Sequence, residues 1–260
     1  MSDGVPLRVA VFGIGEAGSG IAAGLAAAGA EVGAFDPAEV PTPDGVSRFE
    51  SPSELVKRRD LIMAVTAAVD AQTAIAQAWD VLPRGALYAD LSTAPPTLKE
   101  DLADTAALRG LAFVDVALMA PVPGRGLATP ALVSGPGAAD YARLINELGG
   151  KVEVVGEEPG EAATRKLLRS VVTKGLTAVI MEAMAAAEQK ELGDWMWEHV
   201  VEFMETADAS TVERLIEGTE LHLERRIVEM SSAAGLLESV EVDPTMTRAT
   251  EEFLKRLRPD

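Results

Sequence analysis

Apolar positions in the first part of the chain fall into short blocks bounded by turn residues, at 7–12, 31–35, 60–65, 86–89, 111–116, 131–134 and 151–155. Near-continuous apolar blocks of this length predict strands buried on both faces of a largely parallel sheet. Between them, segments 19–28, 69–79, a stretch beginning near Pro95, and 138–148 carry the spacing of helices. The pattern changes at about residue 159. From there to 189 there is no further proline, and Leu167, Val171, Val172, Val179, Ala183 and Ala187 recur at three and four, which predicts one long helix with a packed apolar stripe. Helical periodicity continues over 195–204, 209–217, 220–238 and 244–257. The expected architecture is an α/β domain over 1–158 followed by an all-helical domain over 159–260, with the long helix as its spine. Trp195 and Trp197 are expected to pack within the second domain.

The first strand runs directly into Gly13-Ile14-Gly15-Glu16-Ala17-Gly18, an Ala-rich helix follows, and the second strand ends at Asp36. Each part has a physical task in a Rossmann-type dinucleotide-binding domain. Gly13 permits the tight turn, Gly15 lets the backbone approach a pyrophosphate, Gly18 allows helix and strand to pack closely, and the helix N-terminus offers N–H groups to the phosphates. Asp36 is placed to accept from the adenosine ribose hydroxyls, which favours NAD over NADP. Arg48 is the next arginine, and would favour NADP only if its loop folded back. Val65 and Thr66, at the end of the third strand, border the same crevice. After the fourth strand come Ser92 and Thr93, placed either for nicotinamide and substrate or simply to cap the helix near Pro95. After the fifth strand the loop Met119-Ala120-Pro121-Val122-Pro123-Gly124-Arg125-Gly126 is a candidate substrate loop, its arginine suited to a carboxylate.

Composition narrows the chemistry. The chain has no cysteine and two histidines, which removes thiolate catalysis and Cys-based metal sites and argues against a histidine-built metal centre. A net charge of −18 disfavours nucleic acid and anionic membrane as partners. No apolar run approaching a membrane span is evident, and the N-terminus lacks a secretory pattern, so a cytoplasmic protein is expected. On the long helix, Lys166, Ser170 and Thr173 share one face.

Taken together, VFGIGEAGSG, FDP, DLSTAPP, VDVALMAPVPG and GEAATRKLLRS resemble, in order, the β-hydroxyacid dehydrogenase superfamily, which includes the 6-phosphogluconate dehydrogenases. TKGL, RRIVEM and VDPTMTRAT are similar to an uncharacterised C-terminal domain on a prokaryotic branch of that group. The resemblance implies a Rossmann domain binding NAD or NADP, an all-helical C-terminal domain that makes a homodimer, Ser92-Thr93 beside the reacting groups, and Lys166 as proton donor or acceptor. The chain departs from the pattern in three places. ALMAPVP replaces the usual Gly-rich substrate loop, Ser170 replaces an asparagine, and Thr173 stands where phosphogluconate dehydrogenases carry an acid. Imine reductases of this fold generally lack the lysine. The expected activity is hydride transfer between NAD(H) and a small hydroxy acid, a carboxylate substrate, or the matching carbonyl compound. The alternatives are imine reductase-like or phosphogluconate dehydrogenase-like chemistry, or a non-catalytic dinucleotide-binding redox regulator.

Overall fold

A computed structural model describes residues 5–66, 73, 76 and 78–259. Contacts divide the chain into two compact units, Met1–Leu168 and Arg169–Asp260. The division falls inside the long helix rather than near Pro159. The reason is local: the first turn of that helix is hydrogen-bonded to the sheet of the first unit through Ser134 and Asp115.

Among the described residues the first unit is built on an eight-stranded sheet in the order β3-β2-β1-β4-β5-β6-β7-β8. The strands are β1 (Arg8–Phe12), β2 (Glu31–Phe35), β3 (Val46–Arg48), β4 (Leu61–Ala64), β5 (Leu87–Asp90), β6 (Ala112–Leu118), β7 (Pro130–Ser134) and β8 (Lys151–Val154). All neighbours are parallel except β6 and β7. Alternate residues of each central strand feed two cores. Val9, Val11, Leu61 and Met63 pack with α1 (Glu16–Ala27) on one face. Ala10, Phe12, Ile62 and Tyr88 pack on the other, against α2 (Pro52–Leu55) and α3 (Pro96–Ala107). Burial on both faces is why the strands read as apolar blocks rather than alternating ones. The edge strand β3 and the short α2 were not expected; each is too brief and too polar to give a period. The helix expected over 69–79 lies largely outside the described residues, although Thr73 and Ala76 are helical and Trp79–Val81 forms a 3-10 turn. Helix α4 (Ala138–Glu147) links β7 to β8, and α5 (Glu161–Gln189) follows β8, its first residues to Leu168 belonging to this unit.

The second unit comprises the remainder of α5 with α6 (Gly193–Thr206), α7 (Ala209–Leu221), α8 (Leu223–Ser239) and α9 (Thr245–Arg256). Glu182 on α5 organises it. Its carboxylate accepts from the backbone N–H groups of Met246 and Thr247 and from the Thr247 hydroxyl, capping α9 where Pro244 cannot. Helix α7 starts with a capping box between Asp208 and Thr211; the Ser210 hydroxyl first, and then the Thr211 N–H and hydroxyl, hold the Asp208 carboxyl below its ordinary range.

Two expectations about this part of the chain are corrected. Ala187 of the predicted stripe is buried, but Val171 and Val172 are 73% and 68% exposed, and Leu167, Val179, Trp195 and Trp197 are exposed as well. In addition, α5 is long and apolar enough, by length and composition, to cross a membrane. A search for uninterrupted apolar runs misses this because Lys174 and Glu182 divide the segment.

Candidate active site

The dinucleotide fingerprint folds as one unit at the carboxyl end of β1. Gly13 has φ +88° and a Cβ there would lie 2.5 Å from the Val65 carbonyl oxygen. A Cβ on Gly18 would lie 1.9 Å from the Gly13 carbonyl oxygen, so the turn closes only with glycine at both positions. Gly15 differs: among the described residues nothing lies within 4 Å of where its Cβ would be. It precedes α1, whose N-terminus has no side-chain cap. An uncapped helix start beside open space is what a pyrophosphate requires. Glu16 and Ala17 form the first turn, with the Glu16 side chain exposed.

Asp36 leaves β2 and turns back to this loop, accepting from Ile14 N–H at 2.8 Å and from Ala38 N–H at 2.9 Å. A carboxylate carries about four acceptor sites, so capacity remains for ribose hydroxyls. Strand order reverses between β1 and β4, and the residues following β4, Val65 and Thr66, stand against Gly13. Among the described residues the buried Thr66 hydroxyl has no hydrogen-bond partner. Orphaned buried hydroxyls are uncommon, and one at the switch point of a parallel sheet suits a ligand group. The described residues therefore fit a dinucleotide.

Ser92 is buried and donates its hydroxyl proton to Asp90 Oδ1 at 2.6 Å; its backbone N–H goes to the same oxygen. That hydroxyl is thus engaged in shaping its own turn, whereas Thr93 is exposed. Behind the turn lies a cluster that periodicity did not reveal. Register places Asp90, Asp115 and Ser134 side by side on β5, β6 and β7. Lys99, fully buried on α3, brings its Nζ to 2.7 Å from Asp90 Oδ1, 2.8 Å from the Asp90 carbonyl oxygen and 3.2 Å from Asp115 Oδ1. Asp115 Oδ2 accepts from Ala163 N–H at 2.9 Å, and Ser134 Oγ accepts from Ala162 N–H at 3.0 Å. Side chains of the sheet therefore cap the helix that carries Lys166, three residues further on. Burial, and next the Asp90 carboxylate, hold the Tyr88 phenol well above its ordinary range. The signal in the sequence was an aspartate at or near the end of two successive apolar strands with a lysine on the intervening helix.

The loop after β6 lies against α1. A Cβ on Gly20 would meet Val122 Cγ1 at 2.9 Å, and one on Gly24 would meet Leu127 Cβ at 2.7 Å. Glycines at i and i+4 thus open a groove on α1 that receives the loop. Val122, expected as a substrate contact, is buried in the core against α1. Met119 and Ala120 are half-buried and Pro121 is exposed; Met119 N–H is paired with the Pro130 carbonyl oxygen. Arg125 is exposed at the loop tip, with Nη1 donating to the Pro121 carbonyl oxygen at 3.3 Å. Lys166 is half-buried on α5, and Ser170, one turn on and also half-buried, belongs to the second unit. Among the described residues no group of acids and histidines could hold a metal ion.

Residues 8–153 match the NAD binding domain of 6-phosphogluconate dehydrogenase, and residues 187–257 match a domain of unknown function, DUF1932. A conserved hypothetical protein from Sinorhizobium meliloti 1021 is 29% identical, with a TM-score of 0.63 over 96% of this chain and 88% of that one. An imine reductase variant from Myxococcus stipitatus in complex with NAD+ superposes with a TM-score of 0.84 at 17% identity, over 97% of this chain and 94% of that one. The imine reductase of the same organism in complex with NADP+ gives 0.83 at 18% identity, over 96% and 93%. These two likenesses concern the fold. With its fingerprint, switch point and helical C-terminal domain in place, the chain belongs to the 6-phosphogluconate dehydrogenase-like family of NAD(P)-binding proteins, on the branch carrying that domain of unknown function.

Proposed function

We propose that this chain is an NAD(H)-dependent oxidoreductase that moves a hydride between the cofactor and a small hydroxy acid or the matching carbonyl compound. The observation that carries the reading is the open, uncapped turn at Gly15 with the Asp36 carboxylate folded against it. A carboxylate there accepts from a ribose 2′-hydroxyl and repels a 2′-phosphate, so NAD is the preferred cofactor. When bound, the nicotinamide supplies the hydride acceptor or donor. The protein positions it and moves a proton. Lys166 is assigned the proton: its amine takes the hydroxyl proton in oxidation, and its ammonium polarises and protonates the carbonyl oxygen in reduction. Asp115 and Ser134 hold the first turn of its helix. Arg125, with donors beyond the one spent on Pro121, is assigned to the substrate carboxylate.

The working form is proposed to be a homodimer made by the helical units. Val171, Val172, Met181, Trp195, Trp197 and Phe253 are all more than half exposed, and exposed apolar side chains in such number suit a surface that a second copy covers. Imine reduction is the second reading, favoured by the two solved imine reductases that share the fold. Nicotinamide absorbance separates the readings: NAD+ with 3-hydroxyisobutyrate and related hydroxy acids against NADH with 2-methyl-1-pyrroline. Turnover of the hydroxy acids that is lost in Lys166→Met supports the first. Turnover of the imine alone, unaffected by that substitution, replaces it with the second.

A further inference from the structure

Arg48 stands at the carboxyl end of the edge strand β3, beside Ala34 of β2. Its guanidinium is surrounded by main-chain carbonyls of the loop that follows β2. Nη1 donates to the Val40 oxygen at 2.8 Å, and Nη2 donates to the oxygens of Asp36 at 2.9 Å and Ala38 at 2.7 Å. Two of the loop amides are spent in the same inward sense. Ala38 N–H goes to Asp36 Oδ1, Val40 N–H goes to the Ala38 oxygen, and Pro37 has none. A loop that binds a phosphate directs N–H groups outward at the anion. This one turns its carbonyls onto an arginine and the amides of Ala38 and Val40 onto its own acceptors.

We propose that Arg48 is the positioning residue for cofactor selection: by gathering the carbonyls of residues 36, 38 and 40, it fixes the loop in a donor-poor form and holds Asp36 at the ribose position. The proposal rests on the reading that Asp36 receives the adenosine ribose. It reverses the simplest expectation for an arginine near that site, namely a clamp for the 2′-phosphate of NADP. Reaching such a phosphate would require Arg48 to abandon three carbonyl hydrogen bonds, and the phosphate would still lie beside Asp36.

The test is the ratio of dissociation constants for NADPH and NADH, measured by calorimetric titration of the full chain. A substitution that merely loosens the fold weakens both cofactors and leaves the ratio unchanged. Arg48→Met is expected to lower the ratio by about fivefold or more, chiefly by weakening NADH as the loop loses its order. Arg48→Lys keeps the charge but reaches fewer carbonyls and should fall between; if the methionine variant does not fold, the lysine variant decides alone. A ratio within twofold of the unmodified value, or a selective loss of NADPH binding, overturns the proposal. An unmodified chain that prefers NADPH sinks the reading of Asp36 separately. The role of Arg48 still stands or falls on the change in the ratio.

Discussion

The ammonium of Lys99 lies 2.7 Å from Asp90 Oδ1 with both side chains excluded from solvent. Asp115 approaches the same ammonium from the next strand, so the one cation serves two buried carboxylates placed side by side by the sheet register. Lys99→Met would leave both acids without a counter-charge. Removing one partner from a buried ion pair costs about 3–5 kcal/mol, and the loss should show in urea unfolding. A decrease below about 1 kcal/mol would mean that the fold does not depend on this ion pair.

Two helical glycines differ in what surrounds them. Gly24→Ala brings a methyl into Leu127, so overpacking of about 1–3 kcal/mol should exceed the gain of about 1 kcal/mol in helix propensity. At Gly175, nothing among the described residues lies within 4 Å of a new Cβ. Gly175→Ala should therefore stabilise an isolated chain, and weaken association if a second copy packs there. Thermal melts of both variants across a dilution series check this. Stabilisation by Gly24→Ala would show that the α1 groove is looser than described.

Sedimentation at micromolar concentration should give twice the chain mass of 27.2 kDa. Charged substitutions at Val172 and Trp197 together should return the single chain. A monomer in the unmodified protein would refute assembly through the helical units.

Lys166→Met retains side-chain length and helix propensity but removes the titratable amine. Turnover should fall by about 10² or more while NADH affinity stays the same. Equal losses in both would identify the lysine with cofactor binding instead of proton transfer.

The acid limb of stability should include Asp60. Hydrogen bonds from Arg8 to both carboxylate oxygens hold its carboxyl below the ordinary range. Because the folded value is the lower one, the stabilisation is complete above the unfolded value of about 3.9 and disappears as pH falls through the folded value. Asp60→Asn should flatten that part of the stability–pH curve. The side chain is 40% exposed, so the effect is screened and small. An unchanged slope would show that the pair persists in the unfolded chain.

The nucleotide domain was legible in sequence because each of its signals is local. Gly13 and Gly18 mark a turn that admits no side chain, and a strand buried on both faces cannot hide its composition. What escaped depends on register and on tertiary distance. Lys99 looks like any helix lysine until α3 lies on the sheet and Asp90 and Asp115 become neighbours. Val122 looked like a loop residue open to substrate, because nothing in the sequence says that Gly20 leaves room for it. The stripe on α5 was recognised as apolar, but periodicity identifies a face without saying whether the same chain covers it. Arg48 was weighed only as a residue that would favour NADP if its loop folded back; that its donors belong to the loop carbonyls follows from a short edge strand that gave no signal.

The tether between Glu182 and the start of α9 sets the solvent in which α5 can exist. Moving this helix into hydrocarbon would break the bonds to Met246 and Thr247 and carry Glu182 and Lys174 into the apolar phase. Insertion scales put about 2.5–3.5 kcal/mol on a charged residue such as lysine at a membrane centre, before the lost cap is counted. Another protein surface imposes no such transfer, since it can cover Val171 and Val172 while the carboxylate remains on α9. Partition energetics thus favour a protein neighbour over lipid for this helix, even though its length and composition suit either.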